Sequence, residues 1–264
     1  MSDWFFALPV VWMTVIILMT TCIATAAIYV IVMKRAIGEH GPAFKAISGG
    51  ILSPLAIVFA LLVGFLAAQV WSDADRAHAA VNHEASALRT IVLLGAAFPG
   101  ETDGRLRDLV RTHIQDAMTH EWPGMSRHNV TLTLIPLPLA EALRLTVALT
   151  PQGDGQTAAQ RALVEAIQAA LEARRQRIIL SGSSVNWVKW LVLLAQAGVT
   201  LVTIAMVHAD NARACRTILA IFATSVGLAV TLIAAHSRPF TGELSVSPAI
   251  LQQVMPEAVD AAGS

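Results

Sequence analysis

Four stretches without a charged side chain, set in pairs on either side of a polar middle, dominate the hydrophobic pattern of this 264-residue chain. They cover residues 10–33, 49–71, 191–207 and 217–235. A helix rising about 1.5 Å per residue needs roughly 20 apolar residues to cross a hydrocarbon layer of about 30 Å. The third stretch is short, but Trp187, Lys189 and Trp190 extend it with residue types that favour a lipid–water boundary. Unpaired backbone amides are too costly in hydrocarbon for loops, so the spans must be α-helices. The pattern predicts an all-α integral membrane protein with four transmembrane helices in two hairpins, near 10–33, 49–71, 190–207 and 217–235.

Between the hairpins the periodicity stays helical. Ala74, Ala77, Val81, Ala85, Leu88 and Val92 keep a three-to-four spacing beyond Trp71 until Pro99-Gly100. A continuous helix from Ser53 to Ala96 is expected, about 65 Å long. Thr102 is the expected N-cap of a next helix that places Leu106, Leu109, Val110, His113, Ile114 and Ala117 on one face and ends at Glu121-Trp122-Pro123-Gly124. A short helix over 139–149 and a longer one over 157–179, with Leu163, Ala166, Ile167, Ala170 and Leu171 inward, complete the middle. The expected domains are a first transmembrane hairpin (1–71), a helical extramembrane domain continuing spans two and three (72–186), a second hairpin (187–235) and a C-terminal tail (236–264). The 34–49 and 208–216 loops are expected on one side of the bilayer, the termini and middle domain on the other.

Composition narrows the function classes. The chain is 55% hydrophobic and 14% charged with zero formal net charge, so nothing basic points to nucleic acid. The two cysteines, Cys22 and Cys215, make no framework. The first apolar run is too long, and its flank too poor in basic residues, for a cleaved signal peptide; it is read as a retained span. None of the common nucleophile, metalloprotease, nucleotide or dinucleotide motifs occurs, so an enzyme is not expected, nor a cofactor. His113 and His120 lie seven apart with Asp116 and Glu121 nearby, but one helix offers too few ligands for a metal site, and these groups are read as a solvated face.

The second span has two distinct faces. Ala60, Gly64 and Ala68 form a row of small residues that permits close approach of another helix. Leu55, Phe59, Leu62, Leu66 and Gln69 cluster on roughly the opposite side. That bulky stripe either faces lipid or, in a ring of subunits, lines a dry constriction that gates a pore.

The order of several short motifs resembles a known family. Residues 66–77 read LAAQVWSDADRA and include Trp71 and Arg76; residues 82–88 read NHEASAL and include Glu84. Glu121-Trp122-Pro123 follows, and Arg238-Pro239-Phe240-Thr241-Gly242-Glu243-Leu244 comes after the last span. Together these resemble the bacterial DUF4239 family, whose members are described as bestrophin-like. The resemblance implies pentamers of four-span subunits, with the second span lining a pore for chloride or other small anions. It does not extend to a calcium site, because only Glu243 follows Pro239-Phe240 and Arg238 precedes it. Trp71 is expected to anchor the second span at the interface; Pro239-Phe240 either wedges Phe240 against the stalk or only stops the last helix; Glu84 and Arg76, eight apart, either share an axis or are solvated.

The resulting expectation is a multi-pass protein of the bacterial inner membrane, surrounded by lipid, assembling as a homo-oligomer and conducting anions. The alternative is a membrane-anchored structural or interaction protein whose helical domain binds a partner without conduction.

Overall fold

A computed structural model describes residues 3–36, 49–127, 129, 132 and 135–257, and every regular element among them is helical. The elements are α1 (Asp3–Phe6), α2 (Val10–Ala36), a 3-10 turn (Gly49–Ile51), α3 (Leu52–Gly95), α4 (Glu101–Asp116), a π-turn (Ala117–Glu121), α5 (Trp122–Ser126), α6 (Leu137–Ala148), α7 (Asp154–Ser181), α8 (Trp187–Val207), α9 (Ala212–His236) and α10 (Ala249–Gln253). Most of the 34–49 loop, with Lys45, lies outside the described residues, as does the end of the C-terminal tail. Among the described residues four helical stretches are long and apolar enough to cross a membrane: Val10–Ala36, Gly49–Gly95, Trp187–Val207 and Ala212–His236.

The chain forms two compact units. The first contains residues 1–72, 184–238 and 242–244. Its core gathers Met13 and Ile17 of α2, Phe59, Leu66 and Val70 of α3, Trp190 and Leu193 of α8, and Val226, Val230 and Ile233 of α9. Shape sets these contacts. A Cβ on Gly227 would lie 2.5 Å from Leu18 Cδ2, so the Leu18 side chain occupies the space that glycine leaves where α2 and α9 meet. Helix ends are closed by side chains: Asn186 Oδ1 accepts from Val188 N–H, and Asn211 Oδ1 accepts from Arg213 and Ala214 N–H. At the start of α2, Val10 N–H donates to Glu243 Oε2 at 3.1 Å, which places a carboxylate on the positive end of the helix. The adjoining Gly242 has φ +90°, and a Cβ there would meet Phe6 O at 2.7 Å. Only glycine fits both demands.

The second unit contains residues 73–183, 239–241 and 245–264. Val81, Leu88 and Ile91 of α3, Leu106, Val110 and Ile114 of α4, Leu139 of α6, and Leu163 and Ile167 of α7 are fully buried in it. Two details differ from the sequence reading. α4 starts at Glu101 with Gly100 (φ +96°) as its N-cap, not Thr102, because the sharp turn after Pro99 needs a positive φ. Glu121-Trp122-Pro123 does not end the helical path either. The helix widens into a π-turn in which Trp122 N–H reaches Ala117 O, five residues back, and α5 follows with Pro123 in its first turn. Proline has no N–H to offer and its ring crowds the preceding turn, so a wider turn accommodates it.

Candidate functional site

The membrane half of α3 turns one side into its own subunit. Phe59 is 7% exposed and its ring centroid stands 5.5 Å from that of Phe222 on α9. Leu66, also 7% exposed, and Val70 join the same cluster, with Leu62 and Val63 packed against it. The Leu55 carbonyl accepts from Gln196 Nε2 at 3.4 Å, and Gln69 Oε1 accepts from Lys189 Nζ. Of the expected pore stripe of Leu55, Phe59, Leu62, Leu66 and Gln69, Phe59 and Leu66 are thus buried against the subunit's own helices, while Leu55, Leu62 and Gln69 are half-buried. Helical periodicity separates two faces of one helix, but which face turns inward is decided by partners such as Phe222, far away in sequence.

The other side of α3 is open. Leu61 is 54% exposed and Phe65 71%, and Ala68 and Ser72 continue the same line. Ala60 and Gly64 flank it, exposed, with nothing within 4 Å of where a Gly64 Cβ would sit. The small row thus meets no helix of its own subunit at Gly64. Trp71 is 47% exposed.

In the other unit, the far half of α3 carries a carboxylate where a stalk would carry an apolar side chain. Glu84 is fully buried, with Val81 and Leu88 on the same stripe. Arg177 of α7, also fully buried, grips it with both arms of its fork: Nε donates to Oε2 at 2.6 Å and Nη2 to Oε1 at 3.0 Å. His113 Nε2 lies 2.9 Å from Oε1, and since an ionised carboxylate only accepts, this nitrogen donates. Arg177 Nη2 also donates to Glu121 Oε2 at 2.8 Å, and Arg174 Nε donates to Glu121 Oε1 at 2.7 Å. The Arg177 guanidinium stands 4.8 Å from the Trp122 ring centroid, a cation–π contact. Burial pushes the Glu84 carboxyl up, but the attraction of Arg177 and the hydrogen bonds from His113 and Arg177 outweigh it and hold the group at about 2. Burial likewise pushes Glu121 up, and Arg177 and Arg174 overcome it and keep its pKa below the usual carboxylate range.

The motif residues converge here. Trp122 Nε1 donates to Val246 O at 3.2 Å, its ring meets Phe240 edge-on with centroids 5.8 Å apart, and Pro239 O accepts from Val246 N–H at 2.8 Å. Glu84, Glu121, Trp122, Pro239 and Phe240 thus belong to one locked assembly, while Gly242 serves the turn beside Phe6. Arg76 is not part of it; it pairs with Asp73 at 2.8 Å near the start of the stalk. The solvated reading of Glu84 and His113 is corrected: both are buried and bonded to each other. His120 stays exposed, 3.8 Å from Asp116. Among the described residues no group of three potential metal ligands comes together. Every carboxylate oxygen in the network is occupied by a donor, and the bonds tie α3, α4 and α7 and the π-turn together.

The sequence profile of the Bestrophin-like domain matches residues 19–251, most of the chain. The chain belongs to the Bestrophin-like family. Solved structures of a bacterial bestrophin homologue share the fold. A bacterial bestrophin homologue from Klebsiella pneumoniae carrying one substitution is 13% identical, covers 92% of this chain and 97% of its own, and superposes with a TM-score of 0.70. A second substituted form of that protein is 13% identical over 90% of this chain and 96% of its own, with a TM-score of 0.71. A further structure of it, phased on zinc, is 12% identical over 91% and 95%, with a TM-score of 0.69. At such low identity the likeness speaks for the fold alone. No curated protein matches the chain.

Arg174 and Arg177 were not expected in the site, although the pattern held a signal. The inward positions Leu163, Ile167 and Ala170 of α7 extrapolate at helical spacing to 174 and 177. Two arginines on an apolar stripe require buried carboxylates opposite, and Glu84 occupies the matching place on the stripe of α3.

Proposed function

We propose that this bacterial protein is an oligomeric anion channel of the inner membrane, in which the open face of α3 lines the pore. One observation carries the reading: α3 buries Phe59, Leu66 and Val70 in its own subunit and leaves Leu61, Phe65, Ala68 and Ser72 in line on the far side, flanked by the small residues Ala60 and Gly64. In a ring, small flanking residues let neighbouring α3 helices approach, and Leu61 and Phe65 from each subunit meet around the axis as a dry constriction. Below it Ser72 and Asp75, then Arg76 and His83, continue the exposed side of the helix with polar groups. Membership of the Bestrophin-like family supports this channel reading over an enzyme, and the order of motifs supports the DUF4239 group within it. The lipid bilayer is then the surrounding partner, chloride the natural first ion to test, and a pentamer the assembly by analogy with bestrophins.

The test has two steps. The mass of the purified protein in detergent is expected at five subunits, and liposomes containing it are expected to pass chloride. A monomer that leaves liposomes tight to chloride overturns the proposal in favour of an anchored interaction protein.

A further inference from the structure

α2 and α9 touch at one level and part at another. They meet tightly where Leu18 fills the space left by Gly227. From there towards the start of α9 the facing positions are Cys22 and Ala26 on α2 and Ala220 and Ala223 on α9, and these short side chains leave a trough of about 260 Å³ that ends at Tyr29 and Arg216. From Cys22 to Tyr29 the helix rises roughly 10 Å, so the trough has the length of part of an acyl chain, not of a compact solute. Its walls are apolar up to one exposed guanidinium, whose Nε donates to Ala212 O at 3.2 Å. The same end carries Lys34 and Arg35 in the last turn of α2 and Arg213 in the first turn of α9.

We propose that this trough holds one acyl chain of an anionic phospholipid, with the phosphate on Arg216 beside Tyr29. The two features complement each other: a dry slot in the hydrocarbon takes the chain, and a basic rim at the boundary takes the charge. A zwitterionic lipid fits the slot equally well but gains less at the rim. The proposal rests on the membrane unit alone and not on conduction.

Native mass spectrometry of the full-length protein, with phosphatidylglycerol or phosphatidylcholine of identical chains, tests it. Phosphatidylglycerol adducts are expected at lower lipid concentration than phosphatidylcholine adducts. Arg216→Gln is expected to weaken phosphatidylglycerol binding about ten-fold, the loss of a direct charge-assisted hydrogen bond to the phosphate. Arg213→Gln, which removes a charge outside the trough, is expected to leave it nearly unchanged. Ala220→Phe fills the slot and is expected to remove the tight adduct of either lipid. Equal binding of the two lipids, or equal effects of Arg213→Gln and Arg216→Gln, overturns the proposal by reducing it to surface charge. A change in oligomer mass with Ala220→Phe and unaltered adducts overturns it in favour of a second copy of the chain in the trough.

Discussion

Both units bury hydroxyls, but among the described residues only the helical unit also buries carboxylate, guanidinium and imidazole side chains. In the membrane unit Thr25, Thr200, Thr231 and Ser237 are buried, and each hydroxyl donates to a carbonyl three or four residues back on its own helix. In the helical unit the buried hydroxyls of Thr146 and Ser181 do the same, but Glu84, His113, Arg174 and Arg177 are buried as well, and each of these is joined to a different segment of the chain. A hydroxyl bonded within its helix is satisfied whatever the neighbouring helix does. A buried carboxylate is satisfied only when a particular arginine, on another helix, arrives at one register. In its buried interior the membrane unit therefore takes its specificity from shape, as at Gly227 against Leu18 and Phe59 against Phe222. The helical unit takes part of its specificity from charge, at a risk: partners removed singly leave an ion in the dry interior.

The largest expected effect follows from that risk. Arg177→Met strands Glu84 and half of Glu121, and a broken buried pair typically costs about 3–5 kcal/mol. The helical unit should lose its cooperative thermal transition at far lower temperature. Adding Glu84→Gln should recover much of the loss, since a neutral amide no longer needs a cation. Strictly additive losses in the double variant would break the comparison by showing that the pair is not coupled.

A smaller effect is expected where shape decides in the membrane unit. Gly242→Ala forces a Cβ to 2.7 Å from Phe6 O at φ +90°, and a cost of about 1–3 kcal/mol is expected from such strain. The detergent-solubilised variant should melt earlier. The melting of Arg177→Met should fall with acid in a different way from that of the parent. Glu84 is depressed from 4.5 to about 2 in the fold, so its contribution is complete above about pH 4.5 and is lost as the pH falls towards 2. Glu121, also depressed, acts in the same direction. Thermal scans across this window should show the parent losing stability and Arg177→Met losing less, because its carboxylates have already lost their main cation. The smallest effect is expected at Arg105, whose pair with Glu141 is exposed. Arg105→Gln should leave the melting temperature unmoved, as water and salt screen such pairs.

How much of this was legible beforehand depended on the kind of signal. The four spans are visible because length without charge is a property of one segment at a time. The long α3 is visible because its apolar spacing does not change phase at Trp71. The inward stripe of α7 is legible as far as Leu171 and no further, because its next positions are Arg174 and Arg177 and arginine ordinarily marks a surface. Glu84 was hidden for the same reason. Choosing the inward side of α3 required knowing that Phe222 lies opposite Phe59, a contact across more than half of the chain that no local periodicity contains.

Chloride flux into liposomes bearing Phe65→Ala and Phe59→Ala, measured beside the parent at equal protein density, tests the orientation of α3 most directly. If the open face lines the pore, shortening Phe65 lets water into the constriction and flux rises several-fold. Shortening Phe59 only hollows the subunit core, lowering stability by about 3 kcal/mol without raising flux. A rise with Phe59→Ala and none with Phe65→Ala would contradict the account and return the pore to the face that the subunit now buries.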